Sequence, residues 1–351
     1  MNKSTTSKIV RLGLLGILLA GVLLTSIGRS SVYAAGTIRY ASSTGLTSGN
    51  CDTWIKACKL MYALSKAVSG DQIWVKQGTH KPHATDRTKS FVLKNGVAIY
   101  GGFGGLETSV NQRNPDVYIT ILSGEIGAAN ANNDNSYHVV VASGTNNTAI
   151  LNGVRIIEGF ANGAGIINSK GGGIYNDAGS PTLANLIFTQ NTAKIQGGGI
   201  YNTTGAAPTI SSVTFTDNVA IVSANGQGGG MFNYGSNPTL SNVVFSGNTA
   251  ANGGGMYNNG SSPTLANVTF TGNIADNNGG GMFNYNISNP TLTKVTFEKN
   301  DAANGGGIYN QASSPTLTNA TFQDNTSLKG GALFNTGGSN ATLVNVTIAE
   351  N

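Results

Sequence analysis

Gly253-Gly254-Gly255-Met256-Tyr257-Asn258, then Pro263-Thr264-Leu265-Ala266-Asn267-Val268-Thr269-Phe270-Thr271-Gly272-Asn273, is the stretch that decides the fold. Its glycine run recurs at Gly171, Gly197, Gly228, Gly253, Gly279 and Gly305, with a degenerate copy from Gly330. The steps between these starts are 26, 31, 25, 26, 26 and 25. So short a period, sustained over seven copies, signals a solenoid, a propeller or an array. A propeller blade needs about 40 residues or more, and a leucine-rich repeat needs its own leucine spacing. Triple glycine, proline and frequent β-branched residues oppose helix. The Leu segment, the alternating Val-Thr-Phe segment and the Ile/Met segment therefore read as three short strands separated by three corners. That describes one coil of a parallel β-helix. Seven coils at about 4.8 Å each rise about 34 Å.

Stacked in register, the repeats place like residues on like. One inward column runs from Leu183 to Leu343 and another from Val213 to Val346. A third is Phe188, Phe215, Phe245, Phe270, Phe297 and Phe322, ending at Ile348. Asparagine fills three more. The first is Asn185, Asn242, Asn267, Asn319 and Asn345, with Ser212 and Lys294 as exceptions. The second is Asn191, Asn218, Asn248, Asn273, Asn300, Asn325 and Asn351; the third runs from Asn176 to Asn335. Asparagine tolerates the left-handed conformation of a sharp corner, and its amide can bond to neighbouring copies. Tyr175, Tyr201, Phe232, Tyr257, Phe283, Tyr309 and Phe334 alternate with the Ile/Met column, so they are expected to point outward or line a corner. Such a ladder suits stacking on sugar rings, or packs upon itself as an outer stack.

The 351-residue chain has 50 Gly, 39% apolar and 10% charged residues, enough apolar content for a core. Its net charge of +5 falls to about +1 once Lys3, Lys8, Arg11 and Arg29 are set aside. A nucleic-acid surface is thereby disfavoured. Those four cations flank an apolar run, Leu12 to Leu24, and Val32-Tyr33-Ala34 supplies small residues at a cleavage site. Residues 1–34 are expected to be a signal peptide, an uncleaved membrane anchor being the alternative. In an oxidising compartment Cys51 and Cys58 read as a local disulfide, with two buried thiols as the alternative.

Residues 35–158 lack the period. Lys59 to Val68 reads as an amphipathic helix with Leu60, Ala63, Leu64 and Ala67 on one face. Strand-like runs follow at 73–75, 97–100, 119–122, 138–141 and 154–157. We expect an N-terminal cap with irregular coils over 35–158, and regular coils over 159–351. The helix would cover the open end of the core.

Phe-x-x-Asn at each ladder Phe, paired with Gly-Gly-[Gly/Ala]-[Ile/Leu/Met], resembles the repeat of chlamydial polymorphic outer-membrane proteins. It also resembles secreted proteins of the pectin-lyase-like superfamily. Cys-Asp-Thr-Trp…Ala-Cys, Gly-Asp-Gln-Ile-Trp-Val and Tyr-Gly-Gly-Phe are similar to segments that open such surface proteins. The resemblance implies an all-β, right-handed parallel β-helix, exported to the extracellular space, cell surface or outer membrane. It also implies adhesion or a structural role, with surface glycans or envelope components as partners. Membrane contact would come only through the signal or an unseen anchor, and the last coil invites end-to-end self-association.

The same superfamily contains polysaccharide-cleaving enzymes. Glycoside hydrolysis needs two carboxylates at a set separation; the lyases are implied to use an Arg or Lys base with Ca²⁺ held by several acids. The repeats carry Asp177, Asp217, Asp276, Glu298, Asp301, Asp324 and Glu350, and no adjacent coils pair two of them at the corner. The irregular half holds His80, His83, Asp86, Arg87, Arg113, Asp116, Asp134, His138, Arg155 and Glu158. His80-Lys81-Pro82-His83 reads as a loop rather than a metal pair, and Gly101 to Gly105 as close backbone packing rather than a phosphate loop. The expectation is a non-catalytic protein without metal or cofactor. Polysaccharide cleavage is the alternative. Ice or mineral binding through the threonine column from Thr182 to Thr342 is a lesser one.

Overall fold

The computed structural model describes residues 36–351. The signal segment expected at 1–34 lies outside them. Strands pair in parallel throughout, forming three sheets of 16, 9 and 7 strands that wrap one core. Successive coils add one rung to each sheet, so the chain is a parallel β-solenoid.

Two features of the coil differ from the sequence reading. The Leu and Val-Phe segments are one strand, as in Thr264–Thr271, bent at a left-handed residue. Asn267 takes φ +55, and Asn185, Ser212, Asn242, Lys294, Asn319 and Asn345 take the same region. The true third strand is short and begins after the corner: Thr192–Ala193, Val219–Ala220, Thr249–Asn252 and their successors. Its buried signature is Ala193, Ala220, Ala250, Ala275 and Ala302.

The phenylalanine ladder stands as expected. Phe188 to Phe322 are all fully buried. Consecutive rings from Phe188 to Phe322 stack with centroids 4.7, 4.7, 4.8, 4.8 and 4.9 Å apart. Glycine makes room for them. A Cβ on Gly255 would lie 2.8 Å from Phe270 Cδ1, and one on Gly254 would lie 2.4 Å from the Ile274 carbonyl oxygen. Gly253 supplies the left-handed turn, at φ +64, that swings the chain into the next sheet.

The other two asparagine columns do not bend the chain. They bond. Asn218 donates its backbone N–H and Nδ2 to Asn248 Oδ1 at 3.1 and 3.0 Å, and Nδ2 also to the Phe188 carbonyl at 3.0 Å. Asn191, Asn248, Asn273, Asn300 and Asn325 repeat this pattern. The left-handed residue at that corner is its predecessor, among them Gln190, Asp217, Lys299 and Asp324. Asn176 starts a parallel amide ladder that reaches Asn335.

At the N-terminal end the helix α1 (Leu60–Lys66) buries Leu60, Ala63 and Leu64 against the first strands, as the amphipathic pattern required. Lys94 Nζ donates to the carbonyls of Leu64 and Ala67 at its C-terminus. Cys51 and Cys58 are joined in a disulfide, Cα atoms 5.3 Å apart. The loop it closes lays Trp54 over Tyr40 and Phe103.

Candidate functional site

The outer aromatic column is a second core rather than an open platform. Tyr201, Phe232, Tyr257 and Phe283 are at most 5% exposed. Their rings stack from Tyr175 through Tyr257 at 5.5, 5.5 and 5.3 Å, then turn edge-on at Phe283. Burial raises the Tyr257 hydroxyl's pKa. The outward sugar-stacking reading is therefore corrected at these four. Tyr175, Tyr309 and Phe334 are half-buried. The stack also begins a ring earlier than the repeat suggested. His138 lies 5.2 Å from Tyr175 and donates Nδ1–H to the Gly171 carbonyl, 2.9 Å away. Burial lowers its pKa, which favours the neutral ring. Sequence reasoning set His138 at the head of a strand-like run, 138–141, but the strand is only Val140–Val141, and His138 belongs to no repeat motif that would have marked it as part of the stack.

A cleft of about 550 Å³ lies on the outer face of the largest sheet, under the loop from Gly104 to Ile119. That loop is held at its start by Glu107, whose carboxylate accepts from the N–H groups of Gly104, Gly105 and Leu106. Burial would raise the Glu107 pKa, but those three donors hold it below its ordinary value. Trp54 Nε1 donates to the Glu107 carbonyl at 2.9 Å and ties the disulfide loop to the cleft loop. Further on, Ser109 and Gln112 form a capping box around a short 3₁₀ turn. The loop thus arrives pre-shaped.

Three of the charged residues singled out from the sequence meet here: Arg113, Asp116 and Arg155. Arg113 is half-buried and committed. It donates to the Gly101 carbonyl at 3.1 Å and Asn152 Oδ1 at 2.8 Å, and lies 5.2 Å over the Tyr100 ring. Gly153 beside it holds φ +76, the left-handed region that favours glycine, and a side chain there would also displace the Arg113 guanidinium. Arg155 and Asp116 are exposed, and neither forms an ion pair among the described residues. Asn185, Ser212 and Thr214 extend the floor across successive rungs, Arg155 pairing with Ile187 and Ile187 with Thr214 in register. Asp116 is the one carboxylate in the lining.

The remaining candidates are dispersed. His80 is buried and donates Nε2–H to the Lys76 carbonyl at 2.9 Å; burial lowers its pKa. His83 accepts at Nδ1 from the N–H groups of Thr85 and Asp86, so both imidazoles serve their own loop. Asp86 caps Thr88, whose hydroxyl and N–H lower its pKa. Arg87 donates to the carbonyls of Asn135 and Phe160 and to Asn162 Oδ1. Glu298 pairs with Lys299 at 2.8 Å on the surface. Gly101 and Gly102 pack against the Gly153 carbonyl and Pro115, the close approach their sequence implied.

The family model for a right-handed β-helix region matches residues 172–348. The chain also resembles the crystal structure of pectate lyase Pel9A, with a TM-score of 0.49 and 13% identity over 89% of this chain and 78% of that one. No curated protein matches the sequence.

Proposed function

The chain belongs to the right-handed β-helix family, and from that premise we propose an exported, non-catalytic glycan-binding protein that displays the cleft beneath the 104–119 loop. The observation that carries this reading is the cleft's lining: one unpaired exposed guanidinium, Arg155, beside amide and hydroxyl groups repeated on successive rungs. Such a floor offers donors and acceptors along a line, which suits the regularly spaced hydroxyls of a polysaccharide. A lone carboxylate, Asp116, does not supply the two that glycoside hydrolysis uses. The chlamydial-type repeat resemblance supports a cell-surface or outer-membrane setting, with surface glycans or envelope components as partners in adhesion. A glycan array with the secreted chain tests the proposal, alongside release of reducing ends or unsaturated products from the bound polymers. Binding that falls at least fivefold in Arg155→Ala, with no product formed, is the expected result. Product formation abolished by Arg155→Ala would instead favour the polysaccharide-cleaving alternative. Binding unaltered by Arg155→Ala would remove the cleft from the account.

A further inference from the structure

Charge is segregated along the chain. Residues 36–100 carry nine Lys and Arg against three acids, whereas residues 101–351 carry seven against twelve. The three acids of the first group are each committed: Asp52 pairs with Lys56, Asp71 with Arg39 and Asp86 with Lys89. Among the other cations, Arg87 and Lys94 are turned onto backbone carbonyls. Lys59 and Lys81 are exposed and form no ion pair among the described residues. An excess of one sign gathered in one part of a chain marks a surface for partners of the opposite sign.

The fold brings those two lysines to one cleft of about 500 Å³ beside α1. The strand Ile38–Leu46 contributes Ser42 and Ser43, and Lys59 immediately precedes the helix. Thr79, on the strand Gly78–His80, and Lys81 and His83, in the loop after it, complete the wall. His83 accepts at Nδ1 from the N–H groups of Thr85 and Asp86, so its neutral ring carries the proton on Nε2 and offers a donor there. His80 is held on the Lys76 carbonyl and anchors the loop. No carboxylate and no guanidinium lines the cleft. Its polar groups are thus two ammonium charges, an imidazole N–H and three hydroxyls.

A guanidinium would offer the planar fork that matches a carboxylate. Ammonium groups act instead as point charges, and hydroxyls rotate to suit, a set that serves a tetrahedral oxyanion with several acceptor oxygens. No Phe, Tyr or Trp lines the cleft as a platform on which nucleobases could stack. We propose that this cleft binds the phosphate groups of an extracellular anionic polymer. Its wall shares no residue with the Arg155 cleft, and the proposal does not depend on the glycan reading.

The full chain is titrated with linear polyphosphate, polygalacturonate, single-stranded DNA and inorganic phosphate at physiological salt. Polyphosphate should bind saturably, more weakly as salt rises, and at least tenfold more weakly to the double variant Lys59→Gln/Lys81→Gln. Lys329→Gln, which removes an exposed charge from the far coils, should bind as the unaltered chain does. A double variant that binds as tightly as the unaltered chain overturns the site. Polygalacturonate bound as tightly as polyphosphate would reduce it to unselective charge, and DNA bound more tightly would make it a nucleic-acid surface; either result overturns the phosphate assignment. Inorganic phosphate that displaces polyphosphate at equal phosphate concentration would make it a single-anion site and overturn the polymer. Should the double variant fail to fold by circular dichroism, hydrogen exchange of the unaltered chain decides. Slower exchange of residues 59–61 and 79–84 with polyphosphate supports the site, and unchanged rates there refute it.

Discussion

Asn267 and Asn273 share a coil and a side chain and do opposite work. Asn267 is exposed, holds φ +55, and its Nδ2 reaches only Asn242 Oδ1 at the surface, 3.1 Å away. Asn273 is fully buried; its Oδ1 accepts from the backbone N–H and Nδ2 of Asn248, while its own Nδ2 donates to the Phe245 carbonyl and Asn300 Oδ1. Asn273→Ala leaves two donors and a carbonyl stranded in a dry corner, at about 3 kcal/mol or more. Asn267→Ala should cost about 1 kcal/mol through the left-handed backbone alone, and Asn267→Gly almost nothing. Urea melts of the three variants measure the difference. The ladder Phe allows a parallel comparison. Phe270→Asp puts a charge between Phe245 and Phe297 and should cost several kcal/mol. Thr269→Asp, on the outward side of the same strand, should shift the melt far less. Equal shifts would reverse the inside and outside of the sheet.

At the scale of elements, what was legible depended on whether a residue's environment repeats. The inward Leu, Val and Phe columns and the amphipathic helix were readable because burial imposes one residue type at a fixed spacing. The short third strand went unread although Ala193, Ala220, Ala250, Ala275 and Ala302 mark it, since a lone small residue after a corner resembles a turn. The cleft was less legible still: Arg113, Asp116 and Arg155 come from a loop and a strand 42 residues apart at the extremes, and only the fold brings them to one wall. Asp71 follows Gly70 at a turn, and nothing in its local sequence shows how far it reaches. It accepts from the N–H groups of Thr37 and Val68 and pairs with Arg39 at 2.8 Å, stitching the first strand to the helix exit. Burial alone would raise its pKa, yet these partners outweigh it and hold the carboxyl below the usual range. A depressed folded pKa contributes stability that is complete above the unfolded value of about 4 and is lost as pH falls through the folded value. Asp71→Asn should therefore cost about 2–4 kcal/mol at neutral pH. The gap between the variant and the unaltered chain should close progressively below pH about 4. A gap that is flat from pH 7 to 2 would show that Asp71 acts through shape and not charge.

For the whole molecule, the two ends of the solenoid are unlike. At the N-terminal end α1 and the disulfide loop close over the core, and Leu60, Ala63, Ile73 and Phe91 are all buried there. In the last described coil Leu343 is 43% exposed and Ile348 53%, whereas Leu265 and Phe270, in the same columns three rungs earlier, are fully buried. The strands at 342–344 and 347–349 pair on one side, with 316–318 and 321–323. A solenoid's stability is a sum of coils and nearest-neighbour interfaces, so a coil with one interface opens more easily than one with two. In a polypeptide ending at Asn351, backbone amides in 342–349 should thus exchange about a hundredfold faster than those in 264–271 when followed by mass spectrometry. The exposed strand edge should also recruit another edge as concentration rises, giving end-to-end association that light scattering detects and that Leu343→Lys suppresses. A monomeric particle across the series, with 342–349 exchanging as slowly as 264–271, would mean that this coil is protected by something other than its one neighbour, and that the exposures of Leu343 and Ile348 misstate its surroundings.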